Sequence, residues 1–219
     1  MKEDVLEQIV DDYLQFDGFF TTHNVRFRPR PDHPEYVAAE DSVPSDVDVV
    51  GYNPRKRGRA RVVVVSCKSW QGGFDATAKL AELRGEKKNR KRATWRHFRE
   101  LWIPKWSEAF REVIFDLSGQ RDFTYRIAAT RLKGNADAWG NDPTISANLS
   151  GCSVGFLPLA EMWPRMLAEL TTTPASSEIG RLAQLLKAAG LTAPEVVAEP
   201  SGPAPGSEAA VLEEAESGE

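Results

Sequence analysis

Cysteine is scarce: the 219-residue chain has two, Cys67 and Cys152. Two isolated thiols make no disulfide framework, which excludes the small cross-linked secreted scaffolds. Cys67 lies inside an apolar run, so it is expected to be a buried thiol. No apolar stretch approaches the length of a bilayer span, and no membrane partner is expected. The start, Met1-Lys2-Glu3-Asp4, is acidic and lacks the pattern of a secretory signal. The cytoplasm is the simplest location. The three histidines, His23, His33 and His97, stand at no metal-ligand spacing to one another. No internal repeat is evident, nor any helicase or methyltransferase motif. Lys and Arg are absent after Lys187, whereas Glu195, Glu199, Glu208, Glu213, Glu214, Glu216 and Glu219 follow it.

The residues present describe a globular body with an acidic appendage. A hydrophobic fraction of 41% and six Trp residues suffice for one sizeable core. The net charge of −4 conceals strong segregation. Arg84, Lys87, Lys88, Arg90, Lys91, Arg92, Arg96 and Arg99 crowd one segment, opposed mainly by Glu86 and Glu100. Lys87, Lys88, Arg90, Lys91, Arg92 and Arg96 are candidate phosphate contacts, which would supply affinity independent of sequence. A solvated helix face is the alternative. Trp95, His97, Phe98, Trp102 and Trp106 interleave with these charges, and could stack on bases or pack on a sheet. Trp102 and Trp106 read as packing residues.

Periodicity supplies the element order. Leu6, Ile9, Val10, Tyr13 and Leu14 have helical spacing over Glu3 to Phe16, with Gly18 as the stop. Phe19 to Arg28 reads as a strand, then come a loop and two further strands. Asp75 to about Leu117 reads as mainly helical and basic, interrupted near Gly85 and Pro104. Phe123 to Thr130 and Gly151 to Leu157 read as strands. Leu159 to Leu170 reads as a helix despite Pro164, and Glu178 to Ala189 as a short amphipathic helix. These give a first domain over residues 1–170 and a helical extension over 171–192. The acidic tail over 193–219 is poor in core-forming residues and is expected to be disordered.

The two central strands carry the chemistry. Pro44-Ser45-Asp46-Val47-Asp48-Val49-Val50-Gly51 is followed by Val62-Val63-Val64-Val65-Ser66-Cys67-Lys68-Ser69-Trp70-Gln71. The linker between them, with Pro54, Gly58 and like charges, reads as a hairpin loop. Residues two apart on a strand share a face, so Asp46 aligns with Asp48, and Ser66 with Lys68, while Cys67 turns away. The second strand is apolar on both faces up to Val65, as a doubly covered central strand should be. Its polar end leaves the covered region beside a carboxylate.

This pattern resembles the PD-(D/E)XK nuclease superfamily, the restriction endonuclease-like and Holliday-junction resolvase-like proteins. Asp48 matches the first Asp of the signature, and Ser66-Cys67-Lys68 occupies the position of (Asp/Glu)-x-Lys. Ser66 departs from the pattern, which has a carboxylate there. The resemblance in element order spans roughly Met1 to Leu170. It implies an α/β fold with a restriction endonuclease-like αβββαβ core, in which helices flank a mixed central sheet.

The resemblance further implies a Mg²⁺-dependent nuclease, with Mn²⁺ as an alternative ion and DNA as the expected partner. The expected metal ligands are Asp48, the backbone carbonyl of Cys67 and Glu7 of the first helix. Glu7 leads the candidates to replace the missing carboxylate, ahead of Asp46. Lys68 would orient the attacking water or stabilise charge developing at phosphorus. Ser66 could act through a metal-bound water, and Gln71 could hold water or phosphate. Each has a plainer reading: a turn-forming Asp, a solvated strand exit, a surface Glu, a turn Gln. Three functions stay open: an active endonuclease, a nucleic-acid-binding protein that has lost cleavage, and an adaptor module. The oligomeric state is open too, a dimer included.

Overall fold

The computed structural model describes residues 4–87 and 93–191. Lys88, Arg90, Lys91 and Arg92, and the acidic tail from residue 193 onward, lie outside the described residues.

The chain opens with helix α1 (Val5–Phe16), whose buried stripe contains Leu6, Ile9, Val10, Tyr13 and Leu14. The Asp4 carboxylate accepts the Leu6 N–H at 2.8 Å and caps the helix. Gly18, at φ +79°, then reverses the chain. Strand β1 (Phe20–Phe27), a short helix α2 (Ala38–Asp41), strand β2 (Ser45–Tyr52) and strand β3 (Val62–Lys68) follow. The expected hairpin joins β2 to β3, closed by a 3₁₀ turn over Gly58–Arg61.

Strand β4 (Phe74–Asp75) leads into α3 (Ala76–Leu83), capped by the Asp75 side chain. After α4 (Arg99–Trp102) comes α5 (Pro104–Ser118), with Pro104 in its first turn and Gly119 at φ +67° ending it. Strand β5 (Thr124–Ala129) and strand β6 (Leu132–Lys133) precede two short helices, α6 (Asp137–Gly140) and α7 (Pro143–Asn148). Strand β7 (Ser153–Pro158), α8 (Leu159–Glu169) and α9 (Glu178–Ala188) complete the order.

Among the described residues, five strands form one mixed sheet in the order β1-β2-β3-β5-β7. Strands β1, β2 and β3 are antiparallel; β5 and β7 run parallel to β3. The fold is therefore α/β, with helices on both faces of a mixed sheet. Strand β3 is central, and both its faces are covered, as its unbroken valine run requires. Val62 and Val64 pack on one face with Trp106, Phe110 and Ile114 of α5. Val65 packs on the other with α1 and with Met162 and Met166 of α8. Each fully buried side chain of this kind contributes roughly 1.5–3 kcal/mol.

The expected break near Gly85 is present: Gly85 takes φ +77° just past α3, leaving Lys87 in the turn beyond it. Arg96 lies in a 3₁₀ turn over Thr94–His97. Between β5 and β7 an unanticipated insert adds α6, α7 and β6, which pairs with β4 from before α3. It seals the sheet with Trp139, whose indole N–H reaches the Ala76 carbonyl at 2.9 Å. Trp106 is buried and donates to Asp41 at 3.0 Å, and Trp102 packs half-buried against the same core, so both serve packing. No helix among the described residues is long and apolar enough to cross a membrane.

Helix α9 is held by polar contacts to its neighbours. The Ser177 hydroxyl caps it and also donates to Asp12 of α1. Lys187 donates to the carbonyls of Leu167 and Leu170, beside α8.

Candidate active site at the ends of strands β2 and β3

The paired register of β2 and β3 ends at Val49–Val65. One step further, Asp48 sends its side chain across the gap and accepts the Cys67 N–H at 2.5 Å. A donor that the ladder no longer satisfies is thus satisfied by a carboxylate. Ser66 and Lys68 share the face under α5, as strand alternation requires. Lys68 Nζ donates to Ser66 Oγ at 2.8 Å and lies 5.5 Å from the centre of the Phe98 ring. The Ser66 hydroxyl lies near Asp48 and Tyr125 and lowers the pKa of each. It carries one proton, so it can donate to only one of them at a time. Ser66 is 3% exposed. A neutral residue at this buried position holds Lys68 beside Asp48.

Glu100, one residue into α4, completes the group. It is 5% exposed, and Tyr125 of β5 donates to it at 2.5 Å. Burial raises the Glu100 pKa above the usual carboxylate range, while the Lys68 cation and the Tyr125 hydroxyl pull it back. Burial and the Glu100 charge together push the Tyr125 hydroxyl well up. Lys68 therefore acts electrostatically on two carboxylates, Asp48 and Glu100.

Asp48 is itself raised by burial; Lys68, the Cys67 N–H and Ser66 offset this, and Asp46 adds to it. Glu7, in the first turn of α1, is raised from 4.5 to about 7. Desolvation is the largest cause, followed by the charges of Asp48 and Asp4, with His23 opposing. Glu7, Asp46 and Asp48 are thus mutually repelling carboxylates at one end of the sheet. Cys67 is half-buried, and its thiol is pushed up by burial and then by Asp48 and Glu7. That excludes a thiolate nucleophile and leaves its carbonyl as the relevant atom.

A divalent ion fits part of this arrangement. Asp48, Glu7 and the Cys67 carbonyl offer only oxygen, which suits Mg²⁺ or Mn²⁺. Repelling carboxylates with raised pKa values are relieved by a cation. Among the described residues no three His, Cys, Asp or Glu side chains converge on one metal position. An ion held here would keep several water ligands, as Mg²⁺ commonly does.

The expected residues thus divide. Asp48, Ser66 and Lys68 are brought together, and Glu7 and Asp46 stand within electrostatic range of Asp48. Gln71 is exposed in the turn beyond β3, outside the hydrogen-bonded group. Lys87 and Arg96 are exposed. The Arg96 guanidinium lies 5.3 Å from the Trp95 ring. This segment borders the site, because His97 contacts Trp70 edge-on, two residues past Lys68. Glu100 and Tyr125 were not expected. The alternation of β5 marks Tyr125 as inward-facing and so in need of a partner for its hydroxyl, but nothing local identifies Glu100 as that partner. Comparisons with protein-family models, with curated proteins and with solved structures found no match for the chain.

Proposed function

We propose that this protein is a Mg²⁺- or Mn²⁺-dependent endonuclease that hydrolyses phosphodiester bonds, with DNA as substrate and a restriction endonuclease-like core. The observation that carries the reading is the Asp48–Ser66–Lys68 group, with the raised Glu7 beside it, where the central strands emerge from the core. A sheet built for stability alone gains nothing from repelling carboxylates there; each raised pKa is a destabilisation that a bound cation would relieve.

Asp48, Glu7 and the Cys67 carbonyl would hold the ion. When bound, it would supply Lewis acidity toward the phosphate and a more acidic water. Lys68 is the group for the negative charge that grows on the non-bridging oxygens. Ser66 fixes its ammonium, and Glu100, held by Tyr125, provides a counter-charge within the protein. Lys87 and Arg96 would meet the flanking phosphates, with Trp95 available for stacking.

One observation favours a second reading, binding without cleavage. Asp48 has a structural task, capping the Cys67 N–H, which would preserve it even after loss of catalysis. The deciding experiment incubates the full chain with supercoiled plasmid, linear duplex, single-stranded DNA, branched DNA and RNA, with Mg²⁺, Mn²⁺ or chelator. Metal-dependent cleavage of a DNA form supports the proposal. Salt-sensitive binding without cleavage of any form selects the second reading, and neither binding nor cleavage returns weight to an adaptor role.

A further inference from the structure

A second polar site lies at the opposite end of the same sheet. Arg126, midway along β5, faces the α1–α8 side, where those helices cover Ala128 and Leu157 but not Arg126. Its place opposite Gly155 of β7 in the register is decisive. A Cβ on Gly155 would come within 2.0 Å of Arg126 Nη1. The guanidinium thus occupies space beside the Gly155 backbone that only glycine leaves open.

The guanidinium forms part of the wall of a cavity of about 450 Å³. Leu14 and Phe19 give it apolar surface, and Lys56 and Asp17 close one side as an ion pair at 2.5 Å. Asp17 also faces Arg165 at 3.9 Å, so its charge is already matched. Among the described residues the guanidinium of half-buried Arg126 has no hydrogen bond and no ion pair. A partly desolvated guanidinium whose planar donor fork is unused is an oxyanion receptor in search of its ligand. Glu161, the remaining carboxylate of the lining, disfavours ligands of high negative charge. The volume is that of a small-molecule site.

We propose that this cavity binds a small organic oxyanion, a carboxylate or phosphate monoester on an apolar body, with Arg126 as its anchor. The site is distinct from the strand-end group. Val63, on its lining, lies five residues from Lys68 along β3, about 16 Å at the rise of a strand. Asp17 and Glu7 are separated by a similar length of α1.

The test titrates the full chain by calorimetry with phenylacetate, phenyl phosphate and inorganic phosphate, beside Arg126→Met, Gly155→Ala and Asp48→Asn variants shown to be folded by thermal unfolding. Saturable one-to-one binding of one organic probe is expected, at least tenfold tighter than inorganic phosphate. Whichever organic probe binds tighter identifies the headgroup. Arg126→Met should weaken it about tenfold or more, as loss of a charge-assisted pair does. Gly155→Ala should do the same by displacing the guanidinium, with no further loss when it is combined with Arg126→Met. Asp48→Asn should leave the affinity unchanged. Absence of binding by both organic probes, or equal affinity in Arg126→Met, would overturn the proposal.

Discussion

Glu7→Gln separates a working carboxylate from an ornamental one. Glu7 ionises near 7 in the folded chain, against an ordinary value of 4.5, because it is partly desolvated and faces Asp48, Asp4 and Asp46. The folded state therefore holds an extra proton between those two values, and stability falls as pH rises through that window. Above pH 7 the full penalty is present. Taken at face value the displacement corresponds to roughly 3 kcal/mol. Solvent around this half-exposed group screens it, and about 1–2 kcal/mol is the better figure. Gln keeps the shape and removes the charge. Glu7→Gln is expected to be more stable than the parent at pH 8, with a gain in Tm of about 2–4 °C for each kcal/mol. The gain should shrink below pH 7 and nearly vanish near pH 4.5. Differential scanning fluorimetry across this range, with and without Mg²⁺, measures it. Mg²⁺ should stabilise the parent at pH 8 and stabilise the variant much less. A variant no more stable than the parent at pH 8, or a gain independent of pH, would refute the reasoning.

Three further outcomes are expected. Ser66→Ala removes the acceptor of Lys68 and should cost about 1–2 kcal/mol of stability by urea denaturation, while Mg²⁺ affinity by calorimetry stays near that of the parent. Tyr125→Phe leaves the buried Glu100 without its donor; the loss should be about 2 kcal/mol at pH 8 and smaller at acid pH, where protonation relieves Glu100. Replacing Lys87 and Arg96 by Gln should weaken binding to duplexes of any sequence. For every phosphate that is no longer neutralised, the slope of log K against log salt should flatten by about 0.9, and an unchanged slope would remove both residues from the interface.

The parts of the fold set by local pattern were legible in the sequence. The stripe from Leu6 to Leu14 announced α1, and the two-sided valine run placed β3 at the centre of the sheet. Strand alternation put Ser66 with Lys68 and left Cys67 on the other face. What escaped was set by distance along the chain. Glu100 meets Tyr125 only because the stretch from α3 to α5 crosses over β5, and neither residue's neighbours carry a trace of that pairing. Trp139 read as one aromatic among many, yet it closes the core beneath the insert between β5 and β7. The breaks in the basic region were legible too, since Gly85 and Pro104 mark them: Gly85 takes a positive φ past α3, and Pro104 opens α5. Gly155 and Arg126 sit on different strands and become a pair only in the register of β5 with β7.

The central claim is that the group at the ends of β2 and β3 hydrolyses phosphodiester bonds, and its most direct measurement is the single-turnover rate of DNA cleavage in Mg²⁺ for the parent, Asp48→Asn and Lys68→Ala. Asn can still accept the Cys67 N–H, so Asp48→Asn should keep its fold by circular dichroism. Lys68→Ala leaves Glu100 without its cation, so its folding is checked at the assay pH. The account predicts metal-dependent cleavage by the parent and loss of at least a hundredfold in rate in both folded variants, since one preorganised charge-stabilising group commonly contributes about 10²–10³. Cleavage by folded Lys68→Ala at the parent's rate would contradict it.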